Sequence, residues 1–280
     1  MISPRRAVSE IRANFGSLEW WRDRVFVPFV VGPLTRLHPR YPGYGEAVRV
    51  MDEDWDNLFV LDACRADSFE SVADVERFDD YSRVVSLGSH SSEWTRKNFR
   101  GRTFDDTVYV SANPHTTLLA NDTFHELVEV WRDHDVAPNM IDPAELSETA
   151  RRVHERHPNK RLIVHFMQPH GTGGLVETAG SSRKTYDDTV AAMSDTTVAL
   201  AADLGGKTAV TADHGELFNS GFRAKLGIDD HKARLRLPEL VYVPWAEIHH
   251  DRRRIIAGNV DETEVDEKAV KETLEQLGYA

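Results

Sequence analysis

Cysteine is almost absent from this 280-residue chain. Cys64 stands alone, so no intrachain disulfide can form and neither a disulfide scaffold nor a cysteine-rich zinc site is available. No run of about 18 apolar residues occurs, the length that a membrane-spanning helix needs. Met1-Ile-Ser-Pro-Arg-Arg6 is followed by no long apolar run and no small-residue cleavage site, so no secretory signal is expected and a cytoplasmic location is. Positive charge is scarce too. A net charge of -12 argues against a general nucleic-acid binder, because an acidic chain repels a polyanion, although it leaves room for a local basic patch. Internal repeats and low-complexity linkers are missing.

What is present is a globular composition, 40% apolar and 29% charged, long enough for one large α/β domain with an extension. The cations are mostly arginine and the acids outnumber them 46 to 34. That balance keeps a protein solvated in concentrated salt, and a halophilic source and an ordinary acidic cytosolic protein fit it equally. Residues 1–52 read as a basic, aromatic extension and 53–280 as the main domain. Eight arginines in the first 50 residues face only Glu10, Glu19, Asp23 and Glu46, and Trp20-Trp-Arg-Asp-Arg-Val-Phe-Val-Pro-Phe-Val-Val31 mixes aromatics, aliphatics and arginine. Either residues 15–35 lie on an anionic membrane surface, or the segment is a strap packed on the domain through its aromatics, the preferred reading.

From residue 57 onward, short apolar runs alternate with amphipathic stretches, the pattern of a mostly parallel sheet covered by helices on both faces, a three-layer α/β/α sandwich. Strands are expected at Asn57–Asp62, Arg83–Leu87, Thr107–Ser111, Arg161–Met167, Lys207–Thr211 and Glu239–Val243, with helices over 143–157 and 184–204. A closing helix from Asp261 to Gly278 sets Val265, Ala269, Leu274 and Leu277 roughly on one face. In such sheets ligands bind beyond the carboxyl ends of the strands. The residues there are Asp62, the cluster Gly88-Ser-His-Ser-Ser-Glu93, Gln168-Pro-His170 and Asp213-His214.

Asp213 and His214 lie in Lys207-Thr-Ala-Val-Thr-Ala-Asp-His-Gly-Glu216, where an apolar strand delivers a carboxylate and an imidazole into a glycine turn. Together they suit Zn²⁺ or Mn²⁺; an ordinary turn opened by Asp and closed by Gly accounts for the same letters. With Val60-Leu-Asp-Ala-Cys-Arg-Ala-Asp67, Tyr186-Asp-Asp-Thr-Val190 and Asp195 in the same order, the chain resembles the alkaline phosphatase and sulfatase superfamily over roughly residues 55–246. In that superfamily a first strand ends in a metal-binding Asp and a late strand in Asp-His-Gly-Glu.

The resemblance implies an alkaline-phosphatase-like fold and makes Asp62, Asp213 and His214 metal ligands. It places a nucleophile after the second strand at a helix N-terminus, where Ser91 is the choice and Ser92 the second; a plain serine cap is the alternative. Ser91 would also bind the metal. His170 and His231 match histidines that position the anion or protonate the leaving oxygen. His165 reads as a core histidine by its alternation in an apolar strand. Arg65 either clamps an anion or pairs with Asp67.

Two departures narrow the reading. The Asp-x-x-x-His pair of two-metal members is missing, so one divalent ion is expected, Mn or Zn before Mg or Ca. The Cys/Ser-x-Pro-x-Arg signature of the main sulfatases is missing as well. The implied activity is that of a hydrolase or transferase acting through a serine on a phosphate ester, less so a sulfate ester. A lipid-linked or glycan phosphoester is the substrate class in view. A scaffold that kept the fold and lost the chemistry is the alternative.

Overall fold

The structure, a computed structural model, describes residues 4–134, 136–171, 183–218, 232–258 and 267–276. Its center is a seven-stranded sheet: β1 (Asn57–Leu61), β2 (Asp80–Val85), β3 (Phe104–Ser111), β4 (Phe124–Glu129), β5 (Arg161–Phe166), β6 (Lys207–Thr211) and β7 (Tyr242–His249). The order across it is β2-β7-β6-β1-β5-β3-β4. From β6 to β4 all neighbours are parallel, whereas β7 runs antiparallel to both β6 and β2. The middle strands are buried on both faces, which is why β1 reads as the unbroken run Leu58-Phe-Val-Leu61.

The N-terminal part comprises α1 (Pro4–Asn14), α2 (Leu18–Trp21), a wide-turned π-helical stretch (Arg22–Val31) and α3 (Gly32–Leu37). It is tied to the domain through aliphatic and polar groups. Val27 is buried with Leu217, Leu235, Leu237, Leu240 and Val241, and Asp23 pairs with Lys232 at 2.7 Å. The buried Arg236 guanidinium donates to the carbonyls of Pro42, Gly43 and Ser86. The expected packing through aromatics is not what holds it, because Phe15, Phe26 and Phe29 are exposed.

Two helical layers cover the sheet. On one face α4 (Ala66–Val72), α7 (Pro143–Arg156) and α8 (Arg183–Leu204) enclose Phe59, Leu61, Val110, Val164 and Val210. On the other, α5 (Ser91–Phe99) and α6 (Pro114–Ala120) enclose Leu58, Val60, Tyr109 and Ile163 with Trp94 and Phe99. The short α9 (Pro238–Val241) leads into β7, and α10 (Glu267–Gln276) buries Val270 and Leu274.

Three expectations need correction. Residues 239–241 belong to α9, whose first residue is Pro238, so the last strand starts at Tyr242 and runs on to His249. The second strand starts at Asp80, three residues earlier than its apolar letters suggest, because its first residues are solvent-facing edge positions. β4 has no counterpart in the apolar pattern, since Phe-His-Glu-Leu-Val-Glu carries three ionisable residues on a half-buried edge. Of the closing-helix positions, Val265 and Leu277 lie outside the described residues.

Candidate metal centre

The sheet brings distant residues to one spot. Asp62 lies two residues past Val60 and on the same face of the sheet. His165 of β5 and Thr211 of β6 both stand opposite Val60, so His165 shares that face and Asp213 follows two residues beyond Thr211. Ligating atoms of Asp62, His165 and Asp213 all lie within 4.8 Å of one another. His214 Nε2 is 3.7 Å from Asp62 Oδ1 and 3.5 Å from Asp213 Oδ2. Ser91, the first residue of α5, completes the group with its Oγ 3.3 Å from Asp62 Oδ2 and 3.2 Å from His214 Nε2. A close turn puts it there: a Cβ on Gly88 would lie 2.6 Å from the Trp94 amide nitrogen, so only glycine lets the chain pass beneath the first turn of α5.

All five side chains are fully buried, and their orientation is fixed from outside the group. Asn113 Nδ2 donates to Asp62 Oδ2 at 2.7 Å, while Asp213 Oδ1 accepts from the Ala63 and His214 amides at 3.1 and 2.8 Å. Ala63 takes a left-handed φ of 60°, and its carbonyl accepts from the Tyr186 hydroxyl at 2.6 Å. His214 Nδ1 is 2.7 Å from the Gly215 carbonyl. A carbonyl only accepts, so Nδ1 carries the proton and the Nε2 lone pair faces the carboxylates. His165 is oriented by Tyr109, whose hydroxyl lies 2.8 Å from Nδ1, and Trp94 closes over its ring edge-on at 5.8 Å between centroids.

Burial pushes the His165 pKa down to about 4, against the pull of Asp213, so the ring is neutral near pH 7. For Asp213 burial works toward the acid form, but His214, His165 and Ser91 outweigh it and keep the carboxyl below its ordinary range. Among the described residues Asp213 Oδ2 and His165 Nε2 have no hydrogen-bond partner. The Asp213 carboxylate, fully buried beside a neutral His165 ring, carries a charge whose burial is costly without a cation. Ligands of a tetrahedral ion with bonds of about 2.1 Å stand roughly 3.4 Å apart, and the separations between these oxygens and nitrogens run from 3.2 to 3.9 Å. The donor set, two carboxylates and two imidazoles with a serine oxygen, could therefore hold a metal ion.

Of the residues singled out in the sequence, Asp62, Ser91, Asp213 and His214 come together. Ser92 turns aside, with its hydroxyl and amide nitrogen both 3.0 Å from His90 Nδ1. His170 flanks the group: its amide donates to the Asp62 carbonyl at 3.1 Å, and its ring nitrogen is 3.6 Å from Glu216 Oε2. Of the two readings of Arg65, the structure has the ion pair. Its fork bonds Asp67 at 2.8 and 2.7 Å and its third nitrogen donates to the Glu216 carbonyl at 3.0 Å. His231 lies outside the described residues. The sequence reading missed His165, taken as core, together with Asn113 and Tyr109. The available signal was that His165 and Asn113 lie at or just past the carboxyl ends of their strands.

No protein-family model and no curated protein matches the sequence. Solved structures do match. The integral membrane lipooligosaccharide phosphoethanolamine transferase A of Neisseria meningitidis aligns over 70% of this chain and 47% of its own, with 13% identity and a TM-score of 0.51. The fold is alkaline-phosphatase-like. The C-terminal periplasmic domain of a Campylobacter jejuni phosphoethanolamine transferase aligns over 70% of this chain and 78% of its own, with 11% identity and a TM-score of 0.47. An alkaline phosphatase superfamily protein of Vibrio parahaemolyticus aligns over 80% and 70%, with 13% identity and a TM-score of 0.43. The present chain spans about half the length of the Neisseria transferase. Among the described residues no helix is long and apolar enough to cross a membrane.

Proposed function

We propose that the chain is a metal-dependent transferase or hydrolase of phosphate esters in which Ser91 is the nucleophile. The observation that carries this is the position of Ser91 Oγ, buried at the start of α5 and 3.2–3.3 Å from His214 Nε2 and Asp62 Oδ2. A serine that merely capped the helix would turn its hydroxyl back to the backbone; here His90 does that, accepting from the Ser92 amide.

Asp62, Asp213, His165 and His214 would hold one divalent ion. Bound there, it supplies the charge that lowers the pKa of a serine hydroxyl and offsets negative charge on the ester. Ser91 Oγ would lose its proton to solvent and attack phosphorus, the bond from phosphorus to the leaving oxygen would break with that oxygen taking a proton from solvent, and water or an alcohol would then take the phosphoryl group and free the serine. The positive end of α5 favours the anion. His90 stands beside the cluster, its ring stacked 6.2 Å from that of His214, and with Nδ1 accepting from the Ser92 amide its Nε2–H would donate a hydrogen bond to an oxygen of the ester. The roles expected of His170 and His231, steadying the anion, belong to the same reading.

Phosphate is preferred to sulfate because the sulfatase signature is missing and the Neisseria protein of like fold is a phosphoethanolamine transferase. A lipid-linked or glycan phosphoester is the substrate class that follows. Ser91→Ala and Asp213→Ala should each abolish turnover of a nitrophenyl phosphodiester or monoester, with Ser91→Ala keeping its metal by elemental analysis. Full activity in both metal-loaded variants overturns the mechanism. A wild-type protein that takes up no Mn²⁺ or Zn²⁺ favours the scaffold reading.

A further inference from the structure

Away from the buried cluster, the other end of α5 carries an anomaly of charge. A pocket of about 480 Å3 is lined by Arg36, Arg49, Arg96, Lys97 and Arg234 around Tyr44 and Glu93. Lys97 is paired with Glu93 at 2.7 Å. Both Glu93 oxygens are turned to fixed donors, Oε1 to Tyr44 and Lys97 and Oε2 to Ser89 and the Arg234 amide. The four arginines make no ion pair among the described residues. Among the described residues Arg49 and Arg96 reach only the carbonyls of Lys97 and Ser92, and Arg36 and Arg234 lie over the rings of Tyr44 and Phe29. In a chain with 46 acids to 34 cations, four arginines around a single carboxylate that is already taken up by Lys97 and Tyr44 concentrate positive potential on one concavity.

The same region exposes apolar side chains. Phe26, the adjacent Phe29 and Val30, Leu34 and Leu37 lie along the π-helical stretch and α3, at 48, 62, 43, 61 and 80% exposure. This band adjoins the pocket at two points, since Arg36 lies on α3 between Leu34 and Leu37 and the Arg234 guanidinium is 5.5 Å from the Phe29 ring. A run of exposed aromatic and aliphatic groups beside unpaired arginines fits the boundary of an anionic bilayer. The apolar tips enter the acyl layer there, and the guanidiniums meet phosphates at headgroup depth.

We propose that this pocket binds the phosphate of an anionic phospholipid and that the apolar band beside it seats the protein on an anionic membrane surface. The inference stands whether or not Ser91 is a nucleophile.

The test is vesicle flotation of the full chain at about 0.15 M salt. One arm uses phosphatidylcholine alone, another phosphatidylcholine with phosphatidylglycerol, and a third the mixed vesicles with excess inorganic phosphate. The wild type should bind the mixed vesicles at least tenfold more tightly than the neutral ones. Each cation at an anionic surface is worth roughly fivefold, so Arg36→Glu/Arg49→Glu should lose at least tenfold. Phe29→Ser/Leu34→Ser/Leu37→Ser should lose binding with its circular dichroism unchanged. Equal binding to neutral and anionic vesicles, or none, overturns the proposal without reference to any variant. Release from the mixed vesicles by inorganic phosphate at matched ionic strength assigns the pocket to a soluble anion and overturns the lipid claim. A dimer that dissolves in the serine variant, with no vesicle binding, gives the band to a second copy and overturns it as well.

Discussion

Glu93 offers the sharpest test of how the site is held, because one carboxylate joins three separate pieces of chain. Its Oε1 accepts from the Tyr44 hydroxyl and from Lys97, both at 2.7 Å, and its Oε2 from the Ser89 hydroxyl at 3.2 Å and the Arg234 amide at 2.9 Å. Burial alone would raise its pKa; Lys97, Tyr44 and the Arg234 amide prevail and bring it down to about 2 from 4.5. At about 1.4 kcal/mol per unit this is about 3 kcal/mol of stability at pH 7. It is an upper figure, because burial and the neighbouring Arg236 and Arg36 pull the pKa of Lys97 down too.

The sign follows from the depressed pKa. The contribution is complete above the unfolded value of 4.5 and fades as pH falls toward the folded value of about 2. Glu93→Gln keeps the shape and drops the charge, so urea denaturation should show it about 3 kcal/mol less stable than wild type at pH 7 and only roughly 1 kcal/mol less stable at pH 3. A difference that stays constant between those two pH values, or one below about 1 kcal/mol at pH 7, would refute the view that the charge of Glu93 clamps the extension and the 232–237 segment onto α5.

Two further outcomes follow from the cluster. Tyr109→Phe removes the partner that orients His165 and should weaken Zn²⁺ or Mn²⁺ binding by roughly 10–100-fold in a calorimetric titration; unchanged affinity would take His165 out of the ligand set. Ala63→Gly relieves a left-handed backbone at φ 60°, where a Cβ costs about 1 kcal/mol. It should leave the thermal midpoint unchanged or raise it, and a clear fall would show that the turn after Asp62 depends on the alanine methyl, itself fully buried.

How much of this was legible in the sequence depended on burial. β1, β5 and β6 are covered on both faces, so their apolar runs stood out, and Asp62 and Asp213-His214 were conspicuous as the first polar residues past two of them. α7 and α8 were found to within a residue or two, because their apolar positions recur with the helical period. β4 and the first residues of β2 lie at the sheet edges with side chains in water, and an edge needs no apolar code.

The remaining gap is one of neighbourhood. A histidine inside an apolar strand is usually core, and in Leu162-Ile-Val-His-Phe166 its place near the carboxyl end of the strand is the one local sign to the contrary. What changes its meaning is the order β6-β1-β5-β3, which sets His165 opposite Val60 on one side and Ser111 on the other. From there its Nε2 lies 3.8 and 3.9 Å from the two carboxylates, and its Nδ1 meets Tyr109 from β3. Asn113 reaches Asp62 from the end of β3, across the width of β5. Each strand end could be read alone, but the donor set is a property of the row. The same logic makes Tyr109 informative: its hydroxyl lies outside the ligating atoms, so removing it while keeping the ring reaches the cluster through His165.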